Sequence, residues 1–314
     1  MTFLAVIAST AALAQTYPSG PMRMLIPGAP GGSADILARL IGGKLQERLG
    51  QPVVPDNRPG AGQMIAGELA AKAPADGQTL VLFTVTYTTG VAIRSKMPFD
   101  PLNDLTGVAM VGRGPLLFTV HPSLPVKSVK ELVAFAKAKP GQLNYGSSGS
   151  GSIIHFATEV FAASAGINIV HVPYKSITPA VTDAIGGHIP MLIVSMPSGW
   201  PQVKANRLRA LAVTTGERSA FVPELPTMAE AGVPGYDVST WWGIYTRGKT
   251  PGEIVNRLNR EIGQILAAED VKSKLAAEGA DPVLGMTPEA FNAFTKNEIA
   301  KWSKVAKARN IRID

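Results

Sequence analysis

Two stretches of this chain gather glycine and hydroxyl residues directly ahead of a helical pattern. They are Ala29-Pro30-Gly31-Gly32-Ser33, with Asp35 close behind, and Ser147-Ser148-Gly149-Ser150-Gly151-Ser152. A turn of this composition at a helix start leaves several backbone N–H groups without an intrahelical partner, backed by the positive end of the helix dipole. That is anion-binding chemistry, and a carboxylate bridging both turns would stabilise a closed form of the protein. Taken singly, each turn is more simply a tight strand-to-helix connection; its recurrence in the two halves of the chain favours the anion site.

Other chemistries fit less well. The stretch from Gly28 to Asp35 lacks the lysine of a phosphate-binding loop, and neither turn matches G-x-G-x-x-G, so phosphoryl transfer is not supported. Gly146 to Gly151 has the composition of a hydrolase nucleophile elbow but matches G-x-S-x-G in no register, which leaves its serines as hydrogen-bond donors. His121, His155, His171 and His188 contain no H-E-x-x-H or other close pair, and the chain has no cysteine. No metal, cofactor, disulfide or thiolate chemistry is therefore expected, and no catalytic constellation emerges. His155, one turn into its helix, reads either as pointing into a crevice or as packing. Asp35 reads chiefly as a stabilising carboxylate in the first turn of a helix, and otherwise as a contact to a ligand amine or hydroxyl.

The elements around the turns alternate. Arg23 to Ile26 reads as a strand, Ala34 to Leu49 as a helix closed by Gly50, Gln51 to Asn57 as a strand, Met64 to Lys72 as a helix and Thr79 to Thr84 as a strand. After an apolar linking segment, Val108 to His121, with Gly112, Gly114 and Pro115 at its bend, the order repeats. Helix Ser128 to Ala138 leads to strand Leu143 to Gly146, the serine-glycine turn and helix Ile153 to Ala165. Further strands are expected at Ile169 to Pro173, Ile189 to Ser195 and Arg209 to Thr214, with helices around Pro179 to Ile185 and Pro201 to Asn206 between them. Val238 to Thr246 reads as a return crossing, followed by helices at Pro251 to Ala268, Glu269 to Glu278 and Pro288 to Ala308. This alternation predicts an α/β protein with a parallel sheet covered on both faces. It also predicts two interleaved domains, residues 15–113 plus 240–314 and residues 114–239, with the two turns converging on a cleft at the carboxyl ends of the strands.

A chain of 314 residues with 46% hydrophobic and 17% charged residues has ample material for such a core. Its net charge of +7 is spread out; Lys301, Lys304, Lys307, Arg309 and Arg312 have helical spacing and read as a solvated face. No aromatic ladder accompanies them, so nucleic acid is not an expected partner. Met1 to Ala14 is almost wholly small or apolar and ends in Ala12-Leu13-Ala14, which reads as a shortened signal peptide or, alternatively, an apolar strand or helix. No other apolar run approaches the roughly 20 residues that span a bilayer.

Taken together, the chain resembles the tripartite tricarboxylate transporter receptors, the Bug family of extracytoplasmic solute-binding proteins. The likeness rests on Ala29-Pro30-Gly31-Gly32 with Asp35 and Arg39, on Leu49 to Val54, on Asn57-Arg58-Pro59-Gly60-Ala61-Gly62 and on Ala75-Asp76-Gly77. It continues through Pro98 to Pro101, His121-Pro122-Ser123, Leu143-Asn144-Tyr145, His171 to Lys175, Leu208 to Thr214 and Pro226-Thr227 with Glu230-Ala231-Gly232. The resemblance implies a type II periplasmic binding fold in which backbone amides, hydroxyls and water hold the ligand. It carries contact roles to Ala29 through Ser33 and Asp35, to Ser147 through Ser152, and to Thr84, Thr86, Tyr174 and Ser195. It implies a periplasmic, monomeric receptor for a small carboxylate, served by a two-component integral-membrane permease; the alternative is a ligand sensor that docks to a signalling membrane protein. Three departures from the family pattern bear on the ligand. Ile189 to Ser195 lacks the acidic residues of many relatives, Gly28 replaces a bulkier residue, and Gln63-Met64 stands where Gly-Asn is common.

Overall fold

The computed structural model describes residues 17–312; the apolar segment from Met1 to Ala14 lies outside them. The first elements are β1 (Met22–Ile26), α1 (Ser33–Leu49), β2 (Val53–Asn57), α2 (Met64–Ala71), β3 (Thr79–Thr84) and α3 (Thr86–Ala92). A long strand, β4 (Leu105–Val120), leads to α4 (Val129–Ala138), β5 (Asn144–Ser147), α5 (Ile153–Ala165), β6 (Val170–Pro173) and α6 (Ile177–Ile185). Then come β7 (Met191–Ser195), α7 (Met196–Lys204) and β8 (Arg209–Val213). The chain ends with β9 (Ser239–Arg247), α8 (Gly252–Ala267), α9 (Glu269–Ala277), β10 (Asp281–Pro282) and α10 (Pro288–Ala308).

Local chemistry accounts for the helix limits. The side chains of Ser128, Ser152 and Thr287 accept the N–H of the residue three positions on, capping α4, α5 and α10, and Pro288 occupies the first turn of α10. Gly50 and Gly166 close α1 and α5 in the left-handed conformation, at φ 70° and 61°.

The described strands form one sheet in the order β2-β1-β3-β9-β4-β7-β5-β6, with β8 and β10 each paired to β4. The trios β2-β1-β3 and β7-β5-β6 are parallel, and each is flanked by an antiparallel long strand. The sheet is therefore mixed, not the parallel one expected, because β4 and β9 carry the chain between the two trios and run opposite to each other. The expected bent linker is a continuous strand of 16 residues. Its first part, Leu105 to Pro115, pairs with β9, and Leu116 to Val120 pairs with β7, while the same stretch up to Val120 also takes β8.

β3 shows why these strands read as unbroken apolar runs. Leu80 and Leu82 point into one core with α1 and α8, and Val81 and Phe83 into the other, larger core. That larger core extends past β4 to α5 and includes Phe291 and Trp302 of α10. The last helix accordingly packs on α3 and β4 and also reaches α5, where Trp302 meets Phe156 edge-on at 5.4 Å and Arg309 pairs with Glu159.

Candidate binding cleft

The turns that meet at one cleft follow the carboxyl ends of parallel strands: Pro27 to Gly32 after β1, Val85 after β3, Ser148 to Ser152 after β5, Tyr174 to Ser176 after β6. β7 passes directly from Ser195 into α7. These ends face one cleft of about 660 Å³. Four helices of nine or more residues, α1, α5, α6 and α7, begin at its wall, contributing Gly31 to Ser33, Ser148 with Ile153, Ser176 with Thr178, and Ser195 with Ser198. Thr84 and Thr86 add hydroxyls from the start of the short α3. Ile36, Leu116, Ile153, Ile154, Ile177, Pro197 and Trp242 supply apolar surface between these polar points. Among the described residues no Lys, Arg or His lines the cleft, and Glu278 is its one charged group. Burial raises the Glu278 carboxyl above its ordinary range.

Other expected contact residues stand behind the wall and shape it. Asp35 is only 4% exposed and takes three hydrogen bonds: from the Gly31 N–H at 3.0 Å, from Arg39 at 2.9 Å and from Asn57 at 2.9 Å. Burial alone would raise its pKa, but the bonds from Arg39, Gly31 and Asn57 outweigh it and hold the carboxyl at about 2. Its charge is thereby used in holding the first turn, where Gly31 sits at φ 80°, and it does not line the cleft. Ser33 does line it, and accepts the Trp242 indole N–H at 3.1 Å.

The second turn is supported in the same manner. Ser147 is fully buried; its hydroxyl contacts His171 Nε2 at 2.6 Å and accepts the Gly149 N–H at 3.1 Å. Gly149 and Gly151 adopt φ of 114° and 78°, and the Gly151 N–H donates to His155 Nδ1 at 3.1 Å. His155 therefore packs beneath the turn, stacked on His171 with ring centroids 3.9 Å apart, and does not point into the cleft. Burial first, and the neighbouring His171 second, lower its pKa to about 4, so the ring stays neutral and keeps accepting.

Of the residues expected at the site, Gly31, Gly32, Ser33, Thr84, Thr86, Ser148 and Ser195 come together on the wall. Ala29, Pro30, Asp35, Ser147, Gly149, Ser150, Gly151 and Ser152 do not line it. Tyr174 is also off the wall because its hydroxyl donates to Asp183 at 2.6 Å, and burial together with that carboxylate pushes its pKa up to about 12. Ser176, Thr178 and Ser198 were missed, although serine ahead of a helical pattern is the same signal that marked the other turns. Thr240, Trp242 and Glu278 carry no local signal; β9 and the end of α9 bring them in through tertiary packing. No group of three or more His, Asp or Glu among the described residues is placed to hold a metal ion.

Comparison with known proteins identifies the family. Residues 37–311 match the family described as tripartite tricarboxylate transporter family receptor. Protein BugT of Bordetella pertussis is 38% identical over 302 residues, which cover 96% of this chain and 92% of BugT. Among solved structures, R. palustris Rpa4515 with adipate superposes with a TM-score of 0.81 at 38% identity, covering 94% of this chain and 99% of that one. MatC from Rhodopseudomonas palustris with bound malate gives 0.79 at 28% identity, covering 92% and 99%. By its fold, its cleft and its likeness along nearly the whole length, the chain belongs to the tripartite tricarboxylate transporter receptors, the solute-binding proteins of the Bug family.

Proposed function

We propose that this protein is an extracytoplasmic receptor that captures a small organic acid between two lobes and presents it to a two-component membrane permease. Residues 15–113 with 240–314 make one lobe and residues 114–239 the other; β4 and β9 connect them and act as the hinge. The observation that carries the reading is the meeting of helix starts from both lobes on a cleft whose lining has no cationic side chain. Helix N-termini and hydroxyls hold a carboxylate without a counter-ion. The side chains of Ile36, Ile177 and Trp242 then give its carbon body apolar surface. A ligand that touches both walls binds the closed form better than the open one and so shifts the protein towards closure. Adipate and malate, bound by relatives of known structure, are the first acids to try. No helix among the described residues is long and apolar enough to cross a membrane.

The test is thermal unfolding of the protein, stripped of carried-over ligand, against adipate, malate, other di- and tricarboxylates, aromatic acids and amino acids. An acid present at about 100 times its Kd stabilises the native state by about 2.7 kcal/mol, which raises Tm by several degrees. A rise confined to one class of acid names the solute. A folded protein that responds to no acid in the panel would count against carboxylate capture.

A further inference from the structure

Thr84 ends β3 at the cleft wall, and the residue behind it decides what its hydroxyl can do. Gln63 is 8% exposed and lies beside this strand end. The Thr84 N–H donates to Gln63 Oε1 at 3.1 Å. A backbone N–H can only donate, so the atom facing it must be the amide oxygen, and this fixes the side-chain amide in one orientation. Gln63 Nε2 is then turned to Thr84 Oγ1 and donates to it. The Thr86 N–H donates to the same oxygen at 3.3 Å. A hydroxyl has two lone pairs and one proton. Both lone pairs of Thr84 are occupied, and among the described residues no protein acceptor takes its proton.

From this geometry we propose that Gln63 is a positioning residue that makes the Thr84 hydroxyl an obligate hydrogen-bond donor to the bound solute. The cleft thereby demands an acceptor oxygen at that point. A carboxylate or carbonyl oxygen satisfies it; an ammonium or other donor there meets a hydroxyl with nothing left to accept. The backbone supports the assignment. Gln63 holds φ 75°, the last of four consecutive residues with positive φ after Gly60 at 122°, Ala61 at 46° and Gly62 at 61°. That conformation is unfavourable for a residue with a side chain, and it persists where surrounding contacts over-determine it. Arg94 contributes to that support by donating to the carbonyls of Ala61 and Gly90, as do the paired bonds between Gln63 and Thr84 and the bond from the Gln63 N–H to the Gly60 carbonyl.

The inference rests on carboxylate capture, and the experiment separates the two. Calorimetric titration with adipate, malate and the other acids of the thermal panel would compare the wild type with Thr84→Val, Thr84→Ser, Gln63→Met and the double variant Thr84→Val/Gln63→Met. Thr84→Ser keeps the hydroxyl and should bind within about threefold of wild type, whereas Thr84→Val should bind about 10- to 100-fold more weakly. Gln63→Met should weaken binding about tenfold in the wild-type background and less than about twofold once Thr84 is valine, because Gln63 acts through that hydroxyl. An equal loss from Gln63→Met in both backgrounds would reveal a general structural role and overturn the proposal. So would unchanged affinity in Thr84→Val. Should Gln63→Met fail to fold, the contrast between Thr84→Ser and Thr84→Val still decides whether the hydroxyl donates. A wild type that binds none of the acids removes carboxylate capture, and the donor assignment with it.

Discussion

Glu278 puts a carboxylate on the wall of the cleft proposed to take a carboxylate, and its pKa is raised by burial, with no ion-pair or hydrogen-bond partner for its side chain among the described residues. A unit charge opposing an anionic ligand across about 8 Å at an intermediate dielectric costs about 1 kcal/mol, or about fivefold in affinity. Glu278→Gln should therefore tighten acid binding about fivefold at pH 8. The sign of the pH dependence follows from the raised pKa: as pH falls the native carboxyl takes up its proton earlier than an ordinary glutamate. The advantage of the variant should then shrink at pH 5.5, and calorimetric titration at both values would show it; equal affinities at pH 8 would mean that Glu278 faces away from the bound acid. Glu278 illustrates what the linear chain conceals. Gly31, Gly32, Ser33 and Ser148 could be read as site residues because their chemistry belongs to the backbone turn that their types create. Glu278 and Trp242 enter the wall from α9 and β9, more than 200 positions along the chain from the first turn. Tyr174 failed to reach it for the opposite reason, since a carboxylate nine residues away, Asp183, claims its hydroxyl.

At the scale of elements, the crossing strand lies against its neighbour without room for a side chain. A Cβ on Gly114 would lie 1.9 Å from the Gly279 carbonyl oxygen, and one on Gly112 would lie 3.0 Å from that of Asp281. The middle of β4 thus lies directly against the chain that follows α9, with no room for a side chain between them. Gly114→Ala should cost about 1–3 kcal/mol through overpacking, seen as a Tm several degrees lower in calorimetry. An unchanged Tm would mean that the segment after α9 yields freely. Most element limits agree with the expected ones to within two residues, since apolar periodicity and capping residues are local signals. α3 was invisible because Thr86 to Ala92 is rich in threonine and β-branched residues with poor helix propensity. It is helical because tertiary packing buries Tyr87, while Thr88 and Thr89 satisfy their buried hydroxyls by donating to the carbonyls of Val85 and Thr86. Strand direction was equally beyond reach, as a strand buried on both faces looks the same whichever way its neighbour runs.

Over the whole molecule, the two parallel trios are joined by β4, β9 and the far end of α10, which holds α5 through Trp302 and Arg309. Closure around an acid would have to bend the two strands about this third contact. Small-angle scattering should show the radius of gyration, about 20 Å for a compact chain of this length, fall by a few per cent when a saturating acid is added. An identical profile with the acid bound would mean capture without closure. The proposed hold on the acid itself has a different kind of consequence. Main-chain N–H groups are carried by every residue type but proline, so substitutions that leave the glycine-dependent turns intact leave these donors in place. The apolar side chains of the cleft wall, among them Ile36, Ile177 and Trp242, are open to replacement one at a time. Under the proposed capture, a lineage built on this scaffold could exchange one nutrient for another while a main-chain grip on the acid group is inherited.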